Sequence, residues 1–323
     1  MKEIGCHFSF ESIYGNPYHA TDLLFSSGRN CLRYILREKH ITTLFLPYFL
    51  CESLSEVSSF EGVQIKYYHV DQNLFPEGIC EKDFHEESYL YLVNYYGLLR
   101  DEIDDIIRKY KYVIVDNTHD FFDTKFHDAD VIYNYRKYFG VPDGACIVSQ
   151  DLTLSSEYKN GKSLGKIIEM VERDESDKFL HYPSFLEADK FFRNEELVYM
   201  SNFTRSYLNA LDYDSIRDRR LENFRLLNSM LSSYNEWEWG EKELSYMYPF
   251  LIQDGERLRR YLKEKNIYAV KLWPNVLWNG SNSSEKERVE NMVLLPIDQR
   301  YSKDEMGYIS KTVKEYCYQY QRK

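Results

Sequence analysis

Apolar and polar positions run in two rhythms along this chain. Short apolar runs recur at 41–47 (ITTLFLP), 63–70 (VQIKYYHV), 88–96 (SYLYLVNYY), 112–117 (YVIVDN), 130–135 (DVIYNY) and 145–149 (ACIVS). Runs of this length, bounded by turn residues, predict strands. Between them lie stretches with helical spacing. Residues 22–37 (DLLFSSGRNCLRYILR) predict a helix entered through Ser-Ser-Gly, with Leu32, Ile35 and Leu36 on its apolar stripe. Residues 51–60 (CESLSEVSSF) and 100–111 (RDEIDDIIRKYK) predict two more. Strands alternating with helices imply a mostly parallel sheet with crossover helices, a three-layer α/β/α arrangement. A ligand in such a sheet sits beyond the carboxyl ends of the strands. Asn94, Asp116 and the loop around Lys137 fall at those ends.

The pattern changes further on. Residues 185–234 read as helical and polar. Within them 212–231 (DYDSIRDRRLENFRLLNSML) place Ile216, Leu221, Phe224, Leu227 and Leu231 at helical spacing, as expected of a connector between two lobes. Then come a predicted strand (246–254), a helix (255–266), two strands (267–273 and 291–297) and a final helix (303–320), with 279–287 (NGSNSSEKE) as a polar loop. The expected organisation is a large domain over 1–200 and a connector helix with a smaller α+β domain over 201–323. The chain shows no internal repeat and no low-complexity segment.

Composition narrows the function classes. The chain has 323 residues, long enough for two cores, and is 43% hydrophobic and 29% charged, as a globular protein is. A net charge of −11 argues against a nucleic-acid partner, since no basic excess exists to displace phosphate counterions. No apolar run approaches the roughly 20 residues that span a bilayer, so no membrane partner is expected. The opening residues MKEIGCHFSFESIYG carry no apolar signal-peptide core, which makes the cytoplasm the expected address. Cys6, Cys31, Cys51, Cys80, Cys146 and Cys317 form no CxxC pair, so buried reduced thiols are expected rather than zinc or disulfides. The 30 tyrosines are expected in the core or at an interface, hydroxyls at the edge.

Three local features carry candidate chemistry. Ser26-Ser27-Gly28-Arg29-Asn30 opens a helix, whose free amides and positive dipole end suit a phosphate; alone it reads as an ordinary capped helix. Asp116 ends a strand and His119 follows, where an acid can neutralise a cationic ring nitrogen or simply cap the next loop. Lys137 stands between two apolar runs, just before a glycine turn. Such a lysine is costly to bury unless used, and a desolvated amine can attack a carbonyl to form a Schiff base; alone, it reads as a strand-end lysine reaching into water. Together the three supply a phosphate cradle, a carboxylate and an amine, the parts a pyridoxal-phosphate site needs.

At these residues the sequence resembles the DegT/DnrJ/StrS sugar aminotransferases, within the fold-type-I pyridoxal-phosphate enzymes. "SSGRNCLRYIL" resembles that family's SG-x-x-AL helix start, "FLPYFLC" its strand ending in Pro, and "VNYYG" its strand end before Gly. "IVDNTHDF" is similar to its ED-x-AH motif, and "NYRKYFGVPDGACIVS" to its S-F-R-K…P-x-GG segment; "VKLWP" and "LLPIDQRYSKDEMGYI" also resemble the family. The resemblance spans most of the chain. It implies pyridoxal 5′-phosphate as cofactor, Lys137 as its Schiff-base lysine and proton carrier, Asp116 at the pyridine nitrogen and His119 beside the phenolic oxygen. It also implies a phosphate contact from Ser27, Gly28 and Arg29, a homodimer, a nucleotide-linked keto-sugar as substrate and an amino-acid donor such as glutamate, in polysaccharide or secondary-metabolite synthesis.

Several positions depart from the pattern. Asn134 stands where a serine usually contacts the phosphate, Arg29 where a Thr or Ser follows the first glycine, Ala145 at the second glycine and Val115 at the first acid. Cys51 occupies the place of the aromatic that stacks on the ring, leaving Tyr48, Phe49 or Tyr95 to stack instead. The departures at Arg29, Cys51 and Asn134 motivate a rival reading: a non-catalytic relative serving as a dimeric scaffold or ligand sensor. A pyridoxamine-dependent sugar dehydratase is disfavoured, because that chemistry usually replaces the lysine with histidine.

Overall fold

The computed structural model describes residues 13–15, 17–125, 127–163, 167, 168, 170, 171 and 196–320. Cys6, the opening residues read for a signal peptide, and the start of the helical stretch predicted from residue 185 lie outside them.

An eight-stranded sheet forms the larger part. Its strands are β1 (Leu24–Phe25), β2 (Thr43–Pro47), β3 (Gln64–Val70), β4 (Pro76–Glu77), β5 (Ser88–Val93), β6 (Val113–Asp116), β7 (Asp130–Asn134) and β8 (Ala145–Val148), in the order β1-β8-β7-β6-β5-β2-β3-β4. The five central strands β3, β2, β5, β6 and β7 are parallel, and β1, β4 and β8 pair antiparallel. Helices α1 (Gly28–Glu38), α2 (Glu52–Phe60) and α3 (Ile103–Tyr110) accompany this sheet. All six residues of β5 and all four of β6 are buried, as central parallel strands covered on both faces must be. Chain order reverses between β2 and β5, which makes their carboxyl ends a switch point where α/β sheets open a crevice.

The rest is smaller: α4 (Asn202–Leu208), α5 (Tyr213–Leu231), the antiparallel pair β9 (Tyr248–Leu251) and β10 (Met292–Leu295), then α6 (Gly255–Glu264), α7 (Ser283–Asn291) and α8 (Lys303–Tyr320). The expected class, a mostly parallel three-layer α/β/α part with a smaller α+β part, is the one observed.

Four local expectations need correction. The helix predicted over 22–37 begins only at Gly28, because Leu24 and Phe25 pair with Cys146 and Ala145 as an edge strand. Residues 267–273 form no strand; they make one bridge, Val270 to Leu294, before Trp273 turns left-handed at φ 52°. The polar stretch 279–287 is not all loop. Asn282 and Glu285 exchange hydrogen bonds with each other's backbone N–H (2.9 Å each), a capping box that starts α7. The described cysteines are free thiols, but Cys80 is exposed and Cys51 only partly buried. The tyrosines meet expectation more directly: Tyr34, Tyr91, Tyr95, Tyr96, Tyr133 and Tyr135 are fully buried.

Candidate active site

A cavity of about 470 Å³ opens at the carboxyl ends of β2, β5, β6 and β7. Each strand end delivers something to it. After β2, the chain passes Leu50 and Cys51 into α2; β5 brings Val93, β6 brings Asp116, and β7 brings Ile132 and Asn134. The start of α1, its cap Ser27 with Gly28 and Arg29, lines the cavity beside the end of β7.

Ser27 caps α1: its Oγ accepts from Asn30 N–H at 3.3 Å. The remaining first-turn amides and the helix dipole favour an anion at this end. Gly28 lies against β7. A Cβ built there would sit 3.4 Å from the Asn134 carboxamide nitrogen. That carboxamide uses its oxygen to accept Arg136 N–H (3.1 Å), which turns its NH₂ toward the helix start.

Asp116 is 8% exposed. Its Oδ2 accepts the Tyr91 hydroxyl (2.9 Å) and its Oδ1 accepts Thr118 N–H (2.9 Å). Burial pushes its carboxyl above the ordinary range, with these hydrogen bonds and the Lys137 charge opposing. A cation placed against it would restore the charged form.

Asn134 caps a short 3-10 turn, Tyr135–Lys137, that follows β7. Tyr135 and Tyr138 point into the core, and Lys137 between them points out into the cavity. Lys137 is exposed at the cavity wall, as a strand-end lysine reaching into water is expected to be, and so carries no cost of burial. The turn behind it is fixed elsewhere. Gly144 N–H donates to Ser26 O (2.7 Å), so the loop after the lysine is tied to the start of α1. Gly144 adopts φ 132°, where a side chain would meet Met200 and Thr204 at 3.3 Å. Asp143 anchors the same turn by accepting Ser201 N–H (2.9 Å) and Oγ (2.8 Å).

His119 lines the cavity in a stack of rings: Tyr246 lies 4.2 Å away at 11°, and Trp273 5.7 Å away at 11°. Burial, with the Lys137 charge, holds its pKa down at about 3. The ring is therefore neutral. Its Nδ1 accepts Tyr96 N–H (3.4 Å), which leaves the proton on Nε2.

Of the residues singled out from sequence, Ser27, Gly28, Arg29, Cys51, Asp116, His119, Asn134 and Lys137 line one cavity; Tyr95 does not. Its hydroxyl donates to Phe49 O (2.7 Å) and its ring packs on Phe49 and Trp273, one layer behind the wall. Tyr48 and Phe49, the other candidates for a stacking ring, are also absent from the lining; Tyr48 stacks on Tyr67 and His69.

The missed wall comes from the C-terminal part. Leu272, Trp273, Pro274, Asn275 and Trp278 face the cavity. Two asparagines strap this segment across the turn after β2: Asn275 Nδ2 donates to Leu50 O and Asn279 Nδ2 to Tyr48 O, both at 2.8 Å. Trp278 stays 70% exposed at the rim. The run LWPNVLWNG, apolar rings beside proline in a polar stretch, was the available signal. Tyr91 and Thr118, which orient Asp116, were also missed; Thr118 adjoins His119, and Tyr91 lies within the strand read at 88–96.

Neither a protein-family model nor a curated protein matches this sequence. Solved structures do. The chain is similar to DesV of S. venezuelae, solved in complex with a ketimine intermediate, at 15% identity over 93% of this chain and 86% of that one, TM-score 0.63. It is similar to the sugar aminotransferase CalS13 from Micromonospora echinospora at 14% identity over 91% and 86%, TM-score 0.61. It is likewise similar to a DegT DnrJ EryC1 StrS aminotransferase from Brucella abortus at 14% identity over 91% and 85%, TM-score 0.58. The chain has the fold of these proteins over nine-tenths of its length.

Proposed function

We propose that this chain is a pyridoxal-phosphate-dependent aminotransferase that moves an amino group from an amino acid such as glutamate to a nucleotide-linked keto-sugar. The observation that carries the reading is convergence: an anion-ready helix start, a buried carboxylate and an exposed lysine, from three separate strand ends or turns, line one cavity. The sugar aminotransferases among the similar folds support the substrate class.

The residues fit the cofactor. The α1 amides, with the Asn134 NH₂ taking the place of the family's serine, suit the phosphate, and any side chain at position 28 would press toward that NH₂. Asp116 suits a cationic ring nitrogen, because its burial is unfavourable without a positive partner. Lys137 suits the aldehyde carbon. When bound, the cofactor supplies an electron sink for charge developing at the nitrogen-bearing carbon of the substrate.

This chain's own residues do the rest. Lys137 Nζ is the attachment point and then takes and returns the proton at that carbon. Asp116, held by Tyr91 and Thr118, keeps the ring nitrogen protonated. Neutral His119 offers its Nε2 proton to an oxygen acceptor. Trp273 and Trp278 give the substrate ring an apolar wall. On this reading residues 1–200 hold the cofactor, 201–323 contribute the substrate wall, and the working unit is a cytoplasmic homodimer.

The test is optical. The protein with added pyridoxal phosphate should gain a visible absorption band that glutamate bleaches and a nucleotide keto-sugar restores. Lys137→Ala should lose the band and at least about 100-fold in turnover. A protein that stays colourless overturns the reading. One that binds the cofactor but exchanges no amino group is the non-catalytic ligand binder instead.

A further inference from the structure

Helix α5 turns Arg220 and Asn223 inward, alongside Phe224, Leu227 and Leu231. Arg220 is 2% exposed, and its hydrogen bonds go to neutral acceptors. Nη2 donates to Tyr138 O (3.0 Å), Nη1 to Ser245 O (2.8 Å) and Tyr246 O (3.3 Å), and Nε to Gln299 Oε1 (2.8 Å). Gln299 Nε2 also donates to Tyr138 O (2.8 Å), closing a ring of hydrogen bonds on one carbonyl. The guanidinium lies 4.6 Å from the Tyr138 ring centre. Among the described residues no carboxylate forms an ion pair with it. Asp298, whose charge it feels, is held by Arg300 at 2.7 and 2.9 Å.

A buried cation without a counterion is costly, and an apolar side chain would pack as well. The acceptors explain its presence. Tyr138 directly follows Lys137, and Tyr246 is the ring on which His119 stacks. Arg220 lines no part of the cavity, yet it holds the peptide next to the lysine and the support of the histidine at once. Asn223 steadies the same hub: its Nδ2 donates to the carbonyls of Ile297 (3.2 Å), Asp298 (3.3 Å) and Tyr301 (3.0 Å), around Gln299.

We propose that Arg220, with Gln299, is a positioning residue that fixes how the Lys137 amine enters the cavity. The catalytic meaning of that aim rests on the aminotransferase reading; the aim itself does not, and it is measurable without cofactor. Lysine cannot reproduce the planar fork that reaches four acceptors, so Arg220→Lys should release the hub. Gln299→Ala releases one edge of it from a half-buried position.

The experiment labels cofactor-free protein with an acylating reagent as a function of pH and reads Lys137 by mass spectrometry, with exposed Lys263 as control. The titratable and charged groups lining the cavity with Lys137 are Arg29, Cys51, Glu52, Tyr91, Asp116, His119 and Arg136; those facing Arg220 are Tyr138, Tyr246, Asp298 and Arg300. Both variants should move the Lys137 midpoint by at least about half a pH unit and leave Lys263 unchanged. Loaded with pyridoxal phosphate, they should move the pH titration of the visible band in the same direction. If thermal stability falls while the Lys137 profile stays on the wild-type curve, the role is structural and the proposal is wrong. If Arg220→Lys does not fold, Gln299→Ala decides alone. A wild type without a visible band, but with shifted labelling in the variants, overturns the aminotransferase reading and leaves the positioning role standing.

Discussion

On one side of the cavity, Asp116, Asn134 and Lys137 arrive from the ends of two neighbouring strands, β6 and β7, and the turn that follows. On the other side, Leu272 to Trp278 reach across from the C-terminal part and hold on by two asparagine side chains. The first side is set by sheet register: Asp116 pairs with Val93 and Ile132 of the adjoining strands, so its position is shared by the core. The second depends on a few polar bonds to carbonyls over 200 positions away. Chemistry placed on register is rigid. A wall placed on side-chain straps is adjustable, which suits a part that chooses a substrate rather than one that reacts with it.

The comparison can be broken at its strongest point first. On the proposed function, Asp116→Ala removes the carboxylate that would pair with the cofactor's ring nitrogen and should cost about 2–5 kcal/mol of cofactor affinity, read by titrating pyridoxal phosphate into the variant. Unchanged affinity would detach the register-built side from the cofactor.

His119, on the same side, gives a pH signature. Its folded pKa, about 3, lies below the ordinary 6.5, so the unfolded chain binds the proton first. The stability this contributes is present above about 6.5 and is lost as pH falls toward about 3. His119→Gln should flatten that loss by up to about 1.4 kcal/mol per pH unit, measured by denaturant melts at several pH values. His19, held at about 4 by burial, acts in the same direction and should keep part of the slope.

The strapped wall should respond more gently. Asn275→Ala loses its bond to Leu50 O and should cost about 1 kcal/mol of stability and, on the proposed function, raise KM for the keto-sugar. Trp278→Ala should change stability by no more than about 0.5 kcal/mol, because the ring is mostly in water. On the proposed function its effect should appear as a higher KM for the keto-sugar with the amino-donor KM unchanged. Equal rises in both would place Trp278 outside substrate choice.

How much of this could be read in advance divides along the same line. Strand ends and the α1 start were legible because apolar runs and capping residues act over a few neighbours. Asp116, His119 and Lys137 stood out on that basis and Asn134 through the family resemblance, and all four share the cavity. Of the two readings of Lys137, the strand-end lysine reaching into water is the one its exposure matches. Its 3-10 turn buries the tyrosines on either side and leaves the lysine out. Helix α7 was missed although Asn282 and Glu285 spell a capping box, so that error was one of reading. Arg220 is another matter. The stripe expected on α5 runs through Ile216, Phe224 and three leucines, yet the inward face also takes Arg220 and Asn223, because carbonyls of distant loops wait there.

By itself the sequence determined the alternation of strands and helices, the parallel core, and the residue types at the strand ends, since burial patterns and caps are set by near neighbours. Only the tertiary structure decided that Tyr95 lies behind the wall, that Leu272–Trp278 form it, and that Arg220 grips the carbonyl beside Lys137. A donor side chain on a helix has the same sequence signature whether it meets water or a buried carbonyl. Which one it meets depends on where the backbone of a remote segment comes to rest.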